Sequence, residues 1–150
     1  MRLHLVDRWL PLTLLLAAAC GDATGPAAEL SLNRRKWITR RPASYTYEFQ
    51  RLCFCRPEAV GPVRITAQGG GVQTVVSSAG DPIPPADVDA YFRVTIDSLF
   101  DILQDAARQP ADHITVTYDA RLGYPTEAFI DYEVGTADEE LGFRAELLSP

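Results

Sequence analysis

Hydrophobic and polar residues follow two periodicities along this chain, and these predict helices and strands. Apolar residues at helical spacing predict a first amphipathic helix over residues 29–41, with Trp37 and Ile38 on its apolar face and its basic residues facing solvent. A second helix is predicted after Thr95, a suitable N-cap, because apolar residues then follow at spacings of three and four until Pro110. Each helix therefore offers one apolar face for packing.

The stretch from residue 45 to residue 56 predicts the first strand of the domain. Its period of two places the following residues on one face: Tyr45, Tyr47, Phe49, Cys53 and Cys55. The residues between them are mostly polar. We therefore expect both thiols to point in the same direction as the aromatic side chains.

Further stretches have the composition and alternation of strands. They cover residues 63–68, 72–76, 113–119, 126–132 and 141–147. Gly69, Gly70 and Gly71 predict a tight hairpin between the first two, because glycine adopts positive φ angles without steric cost. Short connections favour antiparallel pairing. The predicted fold class is α+β, with an antiparallel sheet of about six strands and two helices on one face, in the order α-βββ-α-βββ.

The first 19 residues have the features of a signal peptide. The apolar run after Arg2 and Arg8 is shorter than the roughly 20 residues that cross a membrane. Three alanines precede Cys20, as in the lipobox of bacterial lipoproteins, where the cysteine is lipidated and begins the mature chain. The expected organisation is a signal peptide over residues 1–19, lipidated Cys20 and a flexible tether over residues 20–28, and one domain over residues 29–150.

Loss of the signal peptide would remove Arg2, Asp7 and Arg8, leaving 12 of 14 basic and 19 of 20 acidic residues and a net charge of −7. An acidic chain is not expected to bind nucleic acid, because phosphate recognition needs clustered Lys and Arg. The expected location is extracytoplasmic, at a bacterial membrane facing the periplasm or the cell surface, with acyl chains on Cys20 as the anchor. Cleavage by an ordinary signal peptidase after the alanines is the alternative.

Cys53 and Cys55 are the thiols that remain once Cys20 is lipidated, and an oxidising compartment favours a disulfide between them. Residues two apart on a flat strand have Cα atoms about 6.5 to 7 Å apart, at the upper limit for a disulfide, so the bond requires a bend at Phe54. Free buried thiols, redox activity and soft-metal binding are the alternatives. Redox activity is disfavoured because no helix, whose N-terminus would lower a thiol pKa, is predicted to begin here.

Groups that could carry catalysis are sparse, so we predict no catalytic residue and no cofactor. His113 is the one histidine after the signal peptide, and its strand pattern predicts that it faces solvent. Acidic residues between positions 119 and 140 could supply oxygen ligands to calcium, although the EF-hand spacing is absent. Asp119 and Asp131 fall at opposite ends of the predicted hairpin, and Asp119 and Asp138 are expected to bond turn amides. No metal-binding residue is therefore assigned.

Several short motifs follow one another along the domain. They are Tyr45-x-Tyr47, Cys53-Phe54-Cys55, residues 96–100, Tyr118-Asp119, Gly123-Tyr124-Pro125, Asp131 and Asp138-Glu139-Glu140. In this order they resemble an uncharacterised family of bacterial secreted proteins and lipoproteins, over about residues 34–148. The resemblance implies no activity, because the function of that family is unknown, and it assigns no catalytic residue.

These features predict a lipid-anchored, non-enzymatic binding module outside the cytoplasm, whose protein or envelope partner is unknown. The expected contact is a sheet face or an aromatic loop formed by Leu122, Gly123, Tyr124 and Pro125. A thiol-disulfide redox protein that uses Cys53 and Cys55 is one alternative hypothesis. A calcium-dependent envelope module is another.

Overall fold

The computed structural model describes residues 25–109, 111–133, 135 and 140–150. The helices are α1 (Pro26–Arg40), α2 (Pro57–Val60), α3 (Pro85–Asp87), which runs on into a π-helical turn at Val88–Phe92, and α4 (Ile96–Arg108). The strands are β1 (Ser44–Leu52), β2 (Val63–Gln68), β3 (Gly71–Ser77), β4 (His113–Tyr118), β5 (Pro125–Asp131) and β6 (Leu141–Ser149).

The six strands form one antiparallel sheet in the order β3-β2-β1-β6-β5-β4. The first and last strands are therefore neighbours at its centre, while β3 and β4 form its two edges. The predicted α+β class and the order of the two long helices among the strands are confirmed. The short helices α2 and α3 and the π-helical turn were not predicted, because one or two turns are too short to show a helical period.

One hydrophobic core lies between the sheet and the two long helices. Trp37 of α1 is 0% exposed, and its ring meets the Tyr45 ring of β1 edge to face with centroids 5.2 Å apart. The prediction that Trp37 lies on the apolar face of the first helix is confirmed. The prediction for Ile38 is wrong, because its side chain is 53% exposed. Successive residues on a helix point about 100° apart, so only Trp37 of the two faces the sheet.

Two tyrosine hydroxyls of β1 fix the start of α4. Tyr47 donates a hydrogen bond to the carbonyl oxygen of Val94 at 2.5 Å, and the Tyr45 hydroxyl accepts one from the Ile96 amide at 3.2 Å. Burial raises the pKa of both phenols, that of Tyr47 well above its usual value. The predicted N-cap is confirmed, since Thr95 accepts a hydrogen bond from the amide of Ser98. These bonds satisfy polar groups that the core would otherwise leave unpaired.

The basic residues of α1 are not simply a solvated face. Arg34 donates to Asp101 of α4 at 2.6 Å and to Gln104 at 2.8 Å. Lys36 donates to the carbonyl oxygen of Ala120 in the turn between β4 and β5. Each pair is partly exposed and contributes little free energy by itself. Together these bonds connect α1 to α4 and to the turn between β4 and β5. The pattern of hydrophobic residues gives no information about such polar contacts.

Candidate binding surface at the Cys53–Cys55 tip

The predicted strand over residues 45–56 is only partly formed, and its aromatic face is limited to the part that forms β1. Tyr45, Tyr47 and Phe49 are buried as predicted, but the strand ends at Leu52. The prediction that both cysteines share this face is wrong, because they lie in the loop that follows, with Cys53 half-buried and Cys55 exposed. The period of two cannot continue into this loop, since the chain bends there.

A disulfide joins Cys53 to Cys55, with the two Sγ atoms 2.02 Å apart. The Cα atoms of the pair are 5.2 Å apart, whereas positions i and i+2 of a flat strand are separated by about 6.5 to 7 Å. The chain bends at Cys53 and Phe54, so the predicted bend accompanies the disulfide. We refer to residues 53–55 as the Cys53–Cys55 tip.

Phe54 is 91% exposed, more than any other large hydrophobic residue in the described part of the chain. Single exposed apolar residues are common on protein surfaces and need no functional explanation. Phe54 differs from them because the disulfide closes a ring around it, which limits the backbone conformations that would let its side chain fold back. The tip therefore presents an aromatic ring to solvent at a low entropic cost.

The strand end before the tip is held by Arg51. Its guanidinium donates to the carbonyl oxygen of Tyr91 at 2.9 Å and lies 5.9 Å from the centroid of the Phe49 ring, a cation–π distance. Burial lowers the pKa of this guanidinium from its usual value, although arginine keeps its charge at neutral pH. One side chain thus joins the end of β1 to the π-helical turn.

The segment after the tip is held by α2. This helix begins at Pro57, so the expectation that no helix begins beside the cysteines is wrong. It has four residues, and Ala59 buries its side chain beneath it. Arg56 and Glu58 form an exposed ion pair at 3.5 Å, which contributes little stability. A single turn that starts with proline fixes the backbone but offers few amide donors to a thiolate.

The loop of Leu122, Gly123, Tyr124 and Pro125 is buried, so it does not offer the partner contact predicted for it. The Tyr124 ring packs against Trp37 with centroids 5.9 Å apart, and its hydroxyl accepts a hydrogen bond from the Leu147 amide at 3.1 Å. Burial raises the pKa of this phenol. Aromatic residues in a turn occur both at contacts and in cores, and here the loop closes the core beneath α1.

The remaining candidate groups lie apart from one another. The Asp119 carboxylate accepts hydrogen bonds from the amides of Arg121 and Leu122, as predicted for a turn residue. His113 is exposed and lies opposite Asp131 in the strand register of β4 and β5, at the end of the hairpin away from Asp119. Among residues 25–109, 111–133, 135 and 140–150, no three His, Cys, Asp or Glu side chains are grouped to hold a metal ion. Cys20 and Asp138 lie outside the described residues.

Comparison with known proteins identifies one matching family. Residues 29–150 match the sequence profile of a family described as "Family of unknown function (DUF6174)". Neither a curated protein nor a solved structure matches significantly. No helix within the described residues is both long and apolar enough to cross a membrane.

Proposed function

We propose that this chain, which belongs to the DUF6174 family of unknown function, is an extracytoplasmic, lipid-anchored binding module without enzymatic activity. Its contact with a protein partner of the cell envelope is made by the Cys53–Cys55 tip, and not by the loop at residues 122–125. The observation that carries this proposal is the exposure of Phe54 on a disulfide-closed ring.

The physical chemistry of interfaces supports Phe54 as the contact. Aromatic residues are enriched at protein interfaces, and a few buried anchors usually supply most of the binding energy. Burying a phenylalanine side chain stabilises a complex by about 1.5 to 3 kcal/mol through the hydrophobic effect. A side chain already held outward loses less conformational freedom on binding than one on a flexible loop, so more of this energy contributes to affinity.

The spacing between Cys20 and the domain also supports an anchored module. Helix α1 begins at Pro26, so residues 26–28 of the predicted tether are helical, and residues 21–25 separate Cys20 from the helix. Five extended residues span at most about 18 Å, so an acyl group on Cys20 would hold the domain close to the membrane surface. Partners would then be met within a thin layer next to the membrane, which raises their effective concentration.

We expect a photo-reactive phenylalanine analogue at position 54 to form a discrete cross-link with one envelope protein in living cells. The matched control places the same analogue at Leu148, which is also exposed but lies on β6. Phe54→Ala should lower recovery of that partner at least about tenfold, as expected for an interface anchor. Its free energy of unfolding should stay within about 0.5 kcal/mol of wild type, since an exposed side chain packs against little.

Equal cross-linking from positions 54 and 148, or unchanged partner recovery with Phe54→Ala, would contradict the proposed contact.

The second candidate function is that of a thiol-disulfide redox protein, because Cys55 is exposed. For a redox protein, activity should depend on the two cysteines and not on Phe54. Replacing Cys53 and Cys55 with serine would abolish reduction of a disulfide substrate such as insulin, while Phe54→Ala would leave that reaction intact.

The anchor is tested separately by metabolic labelling with a palmitate analogue. We expect the wild-type protein to carry the label and to sediment with membranes, and Cys20→Ala to lose both properties, because no other cysteine precedes the domain. The double variant Cys53→Ala and Cys55→Ala is the control and should keep the label. A labelled Cys20→Ala protein would rule out this anchor.

A further inference from the structure

An apolar groove of about 270 Å³ lies along the outer edge of the sheet, and none of its lining residues belongs to the Cys53–Cys55 tip. It is formed by the first turns of α1, the second half of α4 and strand β4. Its apolar walls are Leu30, Leu103, Ala107, Ile114, Val116 and Tyr118. A space of this size accommodates several methyl or methylene groups.

Strand β4 is an edge strand, paired with β5 on one side only. Within the described part of the chain, no strand pairs with its outer side, so the main-chain N–H and C=O groups there are free to bond another strand. Its burial alternates, with Ile114, Val116 and Tyr118 half-buried toward the helices and the residues between them mostly exposed. These three side chains stay partly exposed because none of the described strands covers the outer side of β4.

The charge of the groove is negative. Glu29 is the one charged residue among those that line it, and within the described residues its carboxylate forms no ion pair. Glu29 and Tyr118 both line the groove, and burial, followed by the charge of Glu29, raises the pKa of Tyr118 to about 12. A carboxylate beside an apolar groove is complementary to a ligand that carries a basic group next to apolar ones.

We propose that this edge binds an extended segment of a partner protein, which pairs with β4 and carries alternating apolar side chains and a basic residue beside Glu29. One strand satisfies both features of the site. Its main chain, about 4.8 Å from β4, bonds the free edge, and its inward side chains fall into the groove between β4 and the helices. A small amphiphile would fill the groove but leave the edge of β4 unpaired. This second contact does not depend on the Cys53–Cys55 tip.

The test uses synthetic peptides and the purified protein. The probe is a fluorescent nine-residue peptide of alternating valine and threonine, with one lysine near an end. The first comparison peptide has alternate backbone nitrogens methylated, which removes strand pairing, and the second has glutamate in place of the lysine. We expect the lysine peptide to bind in fluorescence anisotropy and to shift the amide resonances of β4. The methylated peptide should bind at least about tenfold more weakly, and the glutamate peptide should also bind more weakly than the lysine peptide.

Two variants localise the binding to the groove. Ala107→Trp should fill the groove and weaken the lysine peptide at least about tenfold, whereas Arg108→Trp, an exposed neighbour outside the groove, should change its affinity less than about twofold. Glu29→Lys should reverse the preference between the lysine and glutamate peptides. Thermal melting of each variant checks that the fold is intact.

Several outcomes would overturn this inference. Equal binding of the methylated peptide would show that the groove takes a ligand without strand pairing. If the lysine peptide shows no saturable binding up to about 1 mM, an extended basic segment is ruled out as the partner. A dimer of the protein alone that Ala107→Trp dissociates in sedimentation would identify a second copy as the occupant.

Discussion

Replacing Trp37 with alanine is expected to lower the free energy of unfolding by about 3 to 5 kcal/mol. The side chain is 0% exposed and lies between the rings of Tyr45 and Tyr124, with centroid distances of 5.2 and 5.9 Å. Its removal leaves a cavity where α1, the central strand β1 and the turn before β5 meet. The loss combines the transfer free energy of the indole with the cost of a cavity that three separate elements cannot close.

Urea denaturation followed by circular dichroism measures this change. Ile38→Ala is the control, because it truncates the next residue of the same helix at a side chain that is 53% exposed, and it should cost less than about 1 kcal/mol. Trp37→Phe should cost less than the alanine variant, since within the described residues the indole N–H has no hydrogen-bond partner to lose. Similar losses at positions 37 and 38 would show that α1 is not anchored by its tryptophan.

Replacing Gly123 with alanine is expected to cost about 3 to 5 kcal/mol, an effect of similar size from a different cause. The glycine has φ +81°, which is unfavourable for any residue with a Cβ atom. A Cβ at this position would lie 2.8 Å from the carbonyl oxygen of Asn33 and 3.0 Å from Cβ of Lys36, both on α1. The helix would have to move away from the turn, which would disturb the packing of Trp37 against Tyr124.

Gly80→Ala separates the two contributions to this loss. Gly80 has φ +96°, but a Cβ atom built on it meets nothing within 4 Å, so its substitution tests the backbone conformation alone and should cost about 1 to 2 kcal/mol. Chemical denaturation of both variants measures the difference. Equal losses at positions 80 and 123 would mean that α1 is not in close contact with the turn.

The elements with a clear period could be predicted from the sequence. The helix after Thr95 has apolar residues at every spacing that a buried face requires, and it begins where the N-cap was expected. The alternation in residues 63–68 and the three glycines that follow predicted the first hairpin, which turns at Gly69 and Gly70. The helix and the hairpin are local features, because each is determined by residues that are close together in the sequence.

Features that depend on distant contacts could not be predicted in this way. Tyr124 has the same local context whether its turn is covered or free, and its burial depends on distant residues such as Trp37 of α1. The ion pair between Arg34 and Asp101 depends on how two helices lie against each other. The exposure of Phe54 did have a local indication, because a disulfide across two positions requires a bend and a bend ends the alternation of the strand.

The pairing of β1 with β6 determines when this domain can fold. Tyr47 pairs with Leu147, 100 residues later, so the centre of the sheet closes a loop that spans almost the whole domain. Contacts this far apart in sequence make folding slow, since the entropy of loop closure is lost before the contacts form. A nascent chain that lacks β6 has two separate sheet fragments, β1 to β3 and β4 with β5, and no strand pairing between them. The chain therefore completes its central sheet only after its last strand has emerged.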